Sequence, residues 1–212
     1  MYLFTRSVRL RPGPTRDAAA WAGEVTEAVR HTTDLHVQLW SRTFSPQLGT
    51  LAWTTAVEDL TQLEAADDKL MADEAYQDLV QRGAAYVEHL PDDSLAMYLT
   101  GLPDPTATVE YAAVATSVCA VGCTAKGAEL GVRIAEEAGR IGGNPCSFLI
   151  GASGNYGAVA WITPFPSLAE MQRSEQTVYA DADFVKIVDE EAAGIYSGDL
   201  GATVQHYYRK IM

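Results

Sequence analysis

One stretch of the chain occurs twice, and this repetition constrains the fold more than any other feature. Residues 49–85 and 157–193 align at a constant offset of 108 without a gap, and ten of the 37 aligned positions are identical. Each copy has an Ala-Trp pair in a short apolar run, then a helical pattern, an Ala-Asp pair and a second helical pattern. Self-similarity at a fixed period indicates that one structural unit has been duplicated.

The repeated residues are mostly those that a buried face and a helix cap require. In the first copy Leu60, Leu63 and Leu70 recur at helical spacing, which predicts a helix with one apolar stripe. Asp73 and Asp181 each precede a new apolar-periodic run, where a carboxylate can accept hydrogen bonds from the free N–H groups of the first turn. We therefore interpret the repeat as a duplicated packing unit in which a second helix begins after each Asp.

The flanking sequence completes the same order of elements in both halves. Alternating or β-branched runs predict strands, and longer periodic runs predict helices. The first half has strands at 2–10, 35–44, 50–55 and 94–100 with a first helix at 17–31; the second has strands at 108–121, 146–150, 158–163 and 203–211 with a first helix at 124–141. The segment 101–105 contains Gly and two Pro residues and is typical of a linker.

Each half thus has the order β-α-β-β-α-β, which is that of a ferredoxin-like unit. The predicted fold class is α+β, with a ferredoxin-like repeat at residues 1–102 and another at 106–212. A four-stranded antiparallel sheet with helices on one face leaves its other face bare, and two such sheets in one chain can cover each other. We therefore expect the two repeats to form an intramolecular α/β-barrel with the helices outside.

Composition excludes several partners. The net charge is −13, both halves are acidic, and we expect neither nucleic acid nor an anionic membrane as a partner. The first ten residues carry charge within their apolar run and resemble a strand more than a signal peptide, so we expect a cytoplasmic protein. Cys119, Cys123 and Cys146 form no C-x-x-C pair and have no nearby His, so we expect no metal site and no cofactor.

With this element order, and with MADEAYQDLV and YADADFVKIV in the second helical region, the chain resembles the dimeric α/β-barrel superfamily. That superfamily includes antibiotic-biosynthesis monooxygenases, NIPSNAP-type proteins and stress-responsive barrel proteins. The resemblance implies a small-molecule cavity in each half, either between sheet and helices or inside the barrel. It implies no single chemistry, since some relatives oxidise polyketides without a cofactor, some bind or cleave haem, and many have no known activity.

The candidate site residues lie around the second predicted strand. His36, Trp40 and Arg42 alternate onto one face of it, and Trp53 lies on the neighbouring strand. One interpretation is a pocket wall with an aromatic floor and a cation for an acidic ligand group. The other is that these side chains fill the seam between the two sheets.

Trp161 repeats Trp53, and a repeated Trp is more often a core residue than a functional one because a buried indole contributes a large area. We keep Trp161 with Trp40 and Trp53 as candidate ligand-binding residues. At the offset of 108, Phe148 takes the place of Trp40, whereas His36 and Arg42 have no like partner in the second half, so we expect any polar site in the first half. No attachment motif accompanies any of the four His residues, and haem binding is not favoured.

Three functions remain open, and whether the chain is an enzyme is open with them. The first is a barrel protein that binds a small apolar or aromatic ligand. The second is a cofactor-independent monooxygenase acting on an aromatic or polyketide substrate, with His36 as base and Arg42 stabilising negative charge. The third is a non-catalytic structural protein that oligomerises. A homo-oligomer of the internal pseudo-dimer is left open in each case.

Overall fold

A computed structural model describes residues 1–13, 15–102, 104, 106–197 and 203–212 of the chain. The first half contains β1 (Tyr2–Arg9), α1 (Thr15–Thr33), β2 (Gln38–Thr43), β3 (Thr50–Val57), α2 (Leu60–Ala72), α3 (Glu74–Arg82) and β4 (Asp92–Thr100). The second contains β5 (Tyr111–Val118), α4 (Thr124–Gly142), β6 (Ser147–Gly151), β7 (Ala158–Phe165), α5 (Leu168–Ala180), α6 (Ala182–Lys186) and β8 (Val204–Lys210). Pro103 and Pro105 of the predicted linker lie outside the described residues.

The strands are hydrogen-bonded in the order β1-β3-β2-β8-β5-β7-β6-β4 as a closed barrel, and the pairs β1–β3, β2–β3, β5–β7 and β6–β7 are antiparallel. Within this order, β4-β1-β3-β2 and β8-β5-β7-β6 each have the strand sequence of a ferredoxin-like sheet. This confirms the predicted α+β class and the tandem ferredoxin-like barrel.

The chain divides into two compact units. The first unit contains Met1–Leu95 together with Arg209–Met212, and the second contains Ala96–Tyr208. Strands β4 and β8 therefore each contribute residues to both units. The division into repeats at residues 1–102 and 106–212 describes the duplication and stays a prediction.

The core of the first unit forms where α1 and α3 cover the sheet. Trp21 of α1 meets Trp53 of β3 edge to face, with ring centroids 5.9 Å apart and an interplanar angle of 85°. The Trp21 indole N–H donates to the carbonyl oxygen of Leu79 in α3 at 2.9 Å, so its polar edge is satisfied inside the core. At Gly83 a Cβ atom would lie 2.2 Å from the Trp21 ring, so this contact requires glycine.

Both predicted helix caps are present. The Asp73 carboxylate accepts from the backbone N–H of Tyr76 at 3.0 Å, and that of Asp181 accepts from the N–H of Phe184 at 2.9 Å. The hydrogen bond from Tyr76 and a second one from the Thr32 hydroxyl hold the pKa of Asp73 below its ordinary value. These caps start α3 and α6 at the same place in both halves, as the repeat predicts.

Strand register corrects one detail of the repeat. Leu39 pairs with Trp53 in the first unit, and Phe148 pairs with Trp161 in the second. Phe148 therefore corresponds to Leu39, and its predicted equivalence with Trp40 is wrong. The cause is that the chain between the paired strands is one residue shorter in the second half, so that the offset is 109 before this connection and 108 after it.

Candidate ligand cavity

A cavity of about 570 Å³ lies in the first unit between the sheet and the helices. Its volume is in the ordinary range for small-molecule sites. Most of its wall is apolar and comes from β1, β3, α1 and α2, with Val8, Val25, Trp21, Trp53 and Leu63 among the lining residues. Trp21 and Trp53 are each only 7% exposed, so these two indoles form a well-packed aromatic part of the wall.

A charged pair forms one polar part of the wall. The Arg6 guanidinium donates two parallel hydrogen bonds to the Asp93 carboxylate, from Nε to Oδ1 at 2.8 Å and from Nη2 to Oδ2 at 2.7 Å. This two-point geometry is the strong form of an Arg–carboxylate contact. The pair raises the pKa of Arg6 above its ordinary value, chiefly through the hydrogen bonds to Asp93, so Arg6 stays charged and its charge is balanced.

Tyr76 supplies a neutral hydroxyl beside this pair. Its side chain is buried and lines the cavity. Burial raises the pKa of the Tyr76 phenol, the charge of Arg6 opposes that shift, and the charges of Asp67 and Asp93 add to it. The phenol is therefore protonated at neutral pH and remains able to donate a hydrogen bond.

Thr55 presents a buried hydroxyl without a protein partner. The residue is 4% exposed and lines the cavity, and it pairs with Phe4 of β1, another lining residue. Its Oγ1 has no hydrogen-bond partner among the residues that the structure describes. Buried polar atoms in native proteins are nearly always bonded, so an unbonded one facing a cavity indicates a place for a ligand or water.

The cavity also has an exposed acidic border on α2. Leu60, Glu64 and Asp67 follow one another at helical spacing, line the cavity and are exposed to solvent. Leu60 is 49% exposed although it is large and apolar. Solvent therefore reaches the cavity beside an apolar side chain and two carboxylates.

Of the residues proposed from the sequence, only Trp53 lines this cavity. Its indole N–H donates to the Thr26 hydroxyl of α1 at 2.9 Å. Trp40 lies on the opposite face of the sheet, because it pairs with Ala52 while Trp53 pairs with Leu39. The Trp40 N–H donates to the hydroxyl of Thr54 at 2.9 Å.

Neither His36 nor Arg42 lines the cavity. His36 precedes β2 and is exposed to solvent. Arg42 is half-buried, donates to the Gln47 side chain at 2.9 Å and lines a separate hollow of about 480 Å³ with Arg209 and Lys210. The roles proposed for His36 and Arg42 stay predictions, and they concern a different place in the first unit.

In the second unit, Trp161 is packed against two other aromatic rings. The indole N–H of Trp161 donates to the carbonyl oxygen of Gly131 at 2.9 Å. The fully buried Phe148 lies 5.2 Å from the Trp161 ring, and Tyr196 meets the same ring edge to face at 5.3 Å. A Cβ atom on Gly131 would lie 2.1 Å from the Phe148 ring, so the helix approaches Phe148 as closely as a glycine permits.

At two positions, a polar residue of the cavity wall is replaced by an apolar residue in the second unit. Ala115 pairs with Trp161 as Arg6 pairs with Trp53, so an alanine replaces the arginine. Phe184 follows the Asp181 cap as Tyr76 follows Asp73, so a phenyl ring replaces the phenol.

Sequence reasoning missed Arg6, Thr55, Tyr76 and Asp93. One signal for Arg6 was present, since Arg6 is a charge on the apolar face that Phe4 and Val8 form in a strand. For Tyr76 the signal was the comparison with Phe184, because both copies have an aromatic residue at this position and only the first copy adds a hydroxyl. Asp93 and Thr55 carry no signal in the sequence, because only the paired strands bring them to this cavity.

Neither a metal nor a membrane is indicated by the described part of the chain. Among its His, Cys, Asp and Glu residues, no group of three or more is placed to hold a metal ion. Within the same residues, no helix combines the length and apolar character needed to cross a bilayer.

No protein-family model matches the chain, and no curated protein matches it. Solved structures do. A proposed monooxygenase of Fusobacterium nucleatum superposes with a TM-score of 0.72 at 8% identity, covering 100% of this chain and 92% of its own. An anthrone oxidase-like protein superposes with a TM-score of 0.63 at 11% identity, covering 100% and 92%. A major regulator of staphylococcal pathogenesis superposes with a TM-score of 0.60 at 8% identity, covering 100% of both chains.

These comparisons define a class of fold. The chain has the architecture of the dimeric α/β-barrel proteins, as the sequence predicts, with two ferredoxin-like units supplied by one chain. At identities this low the likeness concerns the fold alone, and the three proteins are themselves described by different roles, oxidation for two of them and regulation for the third.

Proposed function

We propose that the chain is a cytoplasmic small-molecule-binding α/β-barrel protein that holds an apolar or aromatic ligand in the cavity of the first unit. The observation that carries this proposal is the buried Thr55 hydroxyl, which faces an apolar cavity of about 570 Å³ and has no partner among the described residues. An apolar wall with a few convergent polar groups is the usual composition of a ligand site.

The polar groups of the cavity support ligand binding better than they support catalysis. Asp93 holds one edge of the Arg6 guanidinium through two hydrogen bonds, and Tyr76 has a raised pKa, which makes it a poor base at neutral pH. These groups suit recognition by hydrogen bonding. A ligand-free structural role is the weaker proposal, because it leaves the cavity and the Thr55 hydroxyl without a use.

The test is titration with N-phenyl-1-naphthylamine, a neutral apolar probe that becomes fluorescent when it leaves water. We expect saturable binding to the intact chain. Leu63→Trp places a larger ring at the cavity wall and is expected to weaken binding at least about tenfold, whereas Leu90→Trp, at a residue 88% exposed and outside the cavity, leaves it unchanged. Absence of saturable binding, or equal weakening by both variants, contradicts the proposal.

The second candidate is a cofactor-independent monooxygenase. The supporting observation is that two of the similar structures are named as a proposed monooxygenase and an anthrone oxidase-like protein, each covered over 92% of its length. Such a reaction requires an apolar site that excludes water and stabilises a substrate anion. The first unit supplies the apolar site, but the cation inside it, Arg6, is already balanced by Asp93.

Oxygen consumption with an anthrone as substrate tests this candidate. Turnover lost in Arg6→Met and kept in Arg42→Ala would locate the reaction in the cavity. Turnover lost in Arg42→Ala would instead support the site predicted from the sequence around His36 and Arg42. Oxygen uptake no faster than that of the anthrone alone contradicts the monooxygenase candidate and leaves the binding proposal intact.

A further inference from the structure

We propose that the cavity of the first unit selects ligands that carry a positive charge, namely amines with an aromatic or other apolar body, and discriminates against carboxylic acids. The inference rests on the proposed binding function and names the ligand class for the same cavity. It reverses the expectation from the sequence, in which Arg42 was a cation for an acidic ligand group.

The charges that line the cavity favour a cation. Among the described lining residues, Arg6 is the one cation, whereas three carboxylates line the same cavity, those of Glu64, Asp67 and Asp93. Asp93 is joined to Arg6 by two hydrogen bonds, so that pair contributes little net charge. With Arg6 balanced by Asp93, Glu64 and Asp67 give the wall two further negative charges. These charges would attract the ammonium group of a ligand and repel a carboxylate.

The acidic groups act on the cavity and not only on the solvent. Asp67 contributes to the electrostatic environment of both Arg6 and Tyr76, which belong to the wall. Glu64 and Asp67 lie on the same face of α2 as Leu63 and Leu70, which line the apolar part. A ligand whose apolar body contacts this face therefore brings a terminal charge next to the two carboxylates.

Thr55 is the independent sign that a polar ligand enters. Thr55 is only 4% exposed and lines the same cavity. Its Oγ1 has no hydrogen-bond partner among the described residues. A hydroxyl both accepts and donates, so it can bond an amine N–H or an alcohol. The apolar wall with Trp21 and Trp53 would hold the body of the ligand, and indole faces also attract cations.

The experiment compares three ligands with the same naphthalene body: 2-naphthylmethylamine, 2-naphthalenemethanol and 2-naphthaleneacetic acid. Each competes with N-phenyl-1-naphthylamine on the intact chain at pH 7 and low salt. We expect the amine to bind about tenfold more tightly than the acid, with the alcohol between them. The difference should shrink as salt is added, since exposed charges are screened.

A double variant and a matched control locate the effect. Glu64→Gln/Asp67→Asn removes the two cavity carboxylates other than that of Asp93, and we expect it to abolish most of the preference for the amine over the acid. Glu58→Gln/Asp68→Asn removes two exposed carboxylates that do not line the cavity, with the same change in net charge, and should keep the preference.

The outcomes separate this inference from the function beneath it. If the acid binds as tightly as the amine, or if both double variants lose the preference equally, the charge selection is wrong while binding stands. If neither the probe nor any of the three ligands binds, the binding function itself fails.

Discussion

The two halves of this chain share a scaffold and differ in what lies beside the shared tryptophan. In the first unit Trp53 borders a cavity with Arg6 and Tyr76 in its wall. In the second unit Trp161 is packed against Phe148 and Tyr196. Caps, strand order and the Trp position have been kept in both copies, whereas the neighbours of the indole have changed. The difference shows that the caps and the strand order can be the same in both copies while the side chains that surround the indole differ.

The largest expected effect comes from removing the buried ring of Phe148 in the second unit. Phe148→Ala removes a fully buried ring that contacts Trp161 and Gly131, and we expect it to lower the free energy of unfolding by about 3–5 kcal/mol. Urea denaturation measures this. A loss below about 1.5 kcal/mol would show that the region around Phe148 collapses or was not packed, and would break the contrast between the halves.

A smaller effect tests how closely α4 approaches Phe148. Gly131→Ala introduces a methyl group into the Phe148 ring and should cost about 1–3 kcal/mol in spite of the better helix propensity of Ala. The first unit has Ala22 in α1 and Leu39 in β2 at the matching positions, so Phe148→Leu added to Gly131→Ala should restore at least about 1 kcal/mol.

The double-mutant cycle for this pair is read by urea denaturation at constant m-value. Additive losses of stability in the double variant would mean that residues 131 and 148 are not coupled. The Gly131–Phe148 pair would then not be a coupled replacement of the Ala22–Leu39 pair.

An effect of about 1 kcal/mol of opposite sign is expected at Thr55. Thr55→Val removes an unpartnered buried hydroxyl and keeps the shape, so the ligand-free protein should become more stable by about 1 kcal/mol. Thr163→Val is the control in the second unit, where the Thr163 hydroxyl interacts with the Cys146 thiol, and it should be neutral or destabilising. Chemical denaturation of the two variants side by side decides; destabilisation by Thr55→Val would mean that its hydroxyl is satisfied.

The smallest expected effect is a pH dependence carried by Tyr76. Because burial raises the pKa of this phenol above its unfolded value, its contribution to stability is complete below about pH 10 and decreases as the pH rises towards the folded pKa. Tyr76→Phe, which copies Phe184, should therefore flatten the loss of stability above about pH 10.

Burial raises the pKa of Tyr98 to about 12, so a residual slope remains in both proteins. Unfolding free energies measured at several alkaline pH values provide the comparison. An unchanged slope in Tyr76→Phe would indicate that the Tyr76 phenol titrates as in the unfolded chain.

The sequence was sufficient to predict the elements and the barrel. Apolar periodicity located the helices, and Asp73 and Asp181 marked the start of α3 and α6, because these signals are local and were present twice. The order of elements then implied the ferredoxin-like unit, and the duplication implied the barrel.

The site could not be predicted to the same extent, since it depends on pairing between distant residues. Trp53 pairs with Leu39 of β2, so Trp40 lies on the other face of the sheet, and this register cannot be read from a local pattern. Asp93 reaches Arg6 from 87 positions away, a contact that no local pattern announces.

The most direct measurement of the difference between the halves uses the four tryptophans as reporters. Two-dimensional ¹H–¹⁵N spectra resolve their indole N–H signals, assigned by single Trp→Phe variants, during titration with N-phenyl-1-naphthylamine. We predict that the signals of Trp21 and Trp53 shift in proportion to occupancy while that of Trp161 stays in place. A shift of Trp161 equal to theirs, or no shift at Trp53 at saturating probe, would contradict a ligand site confined to the first unit.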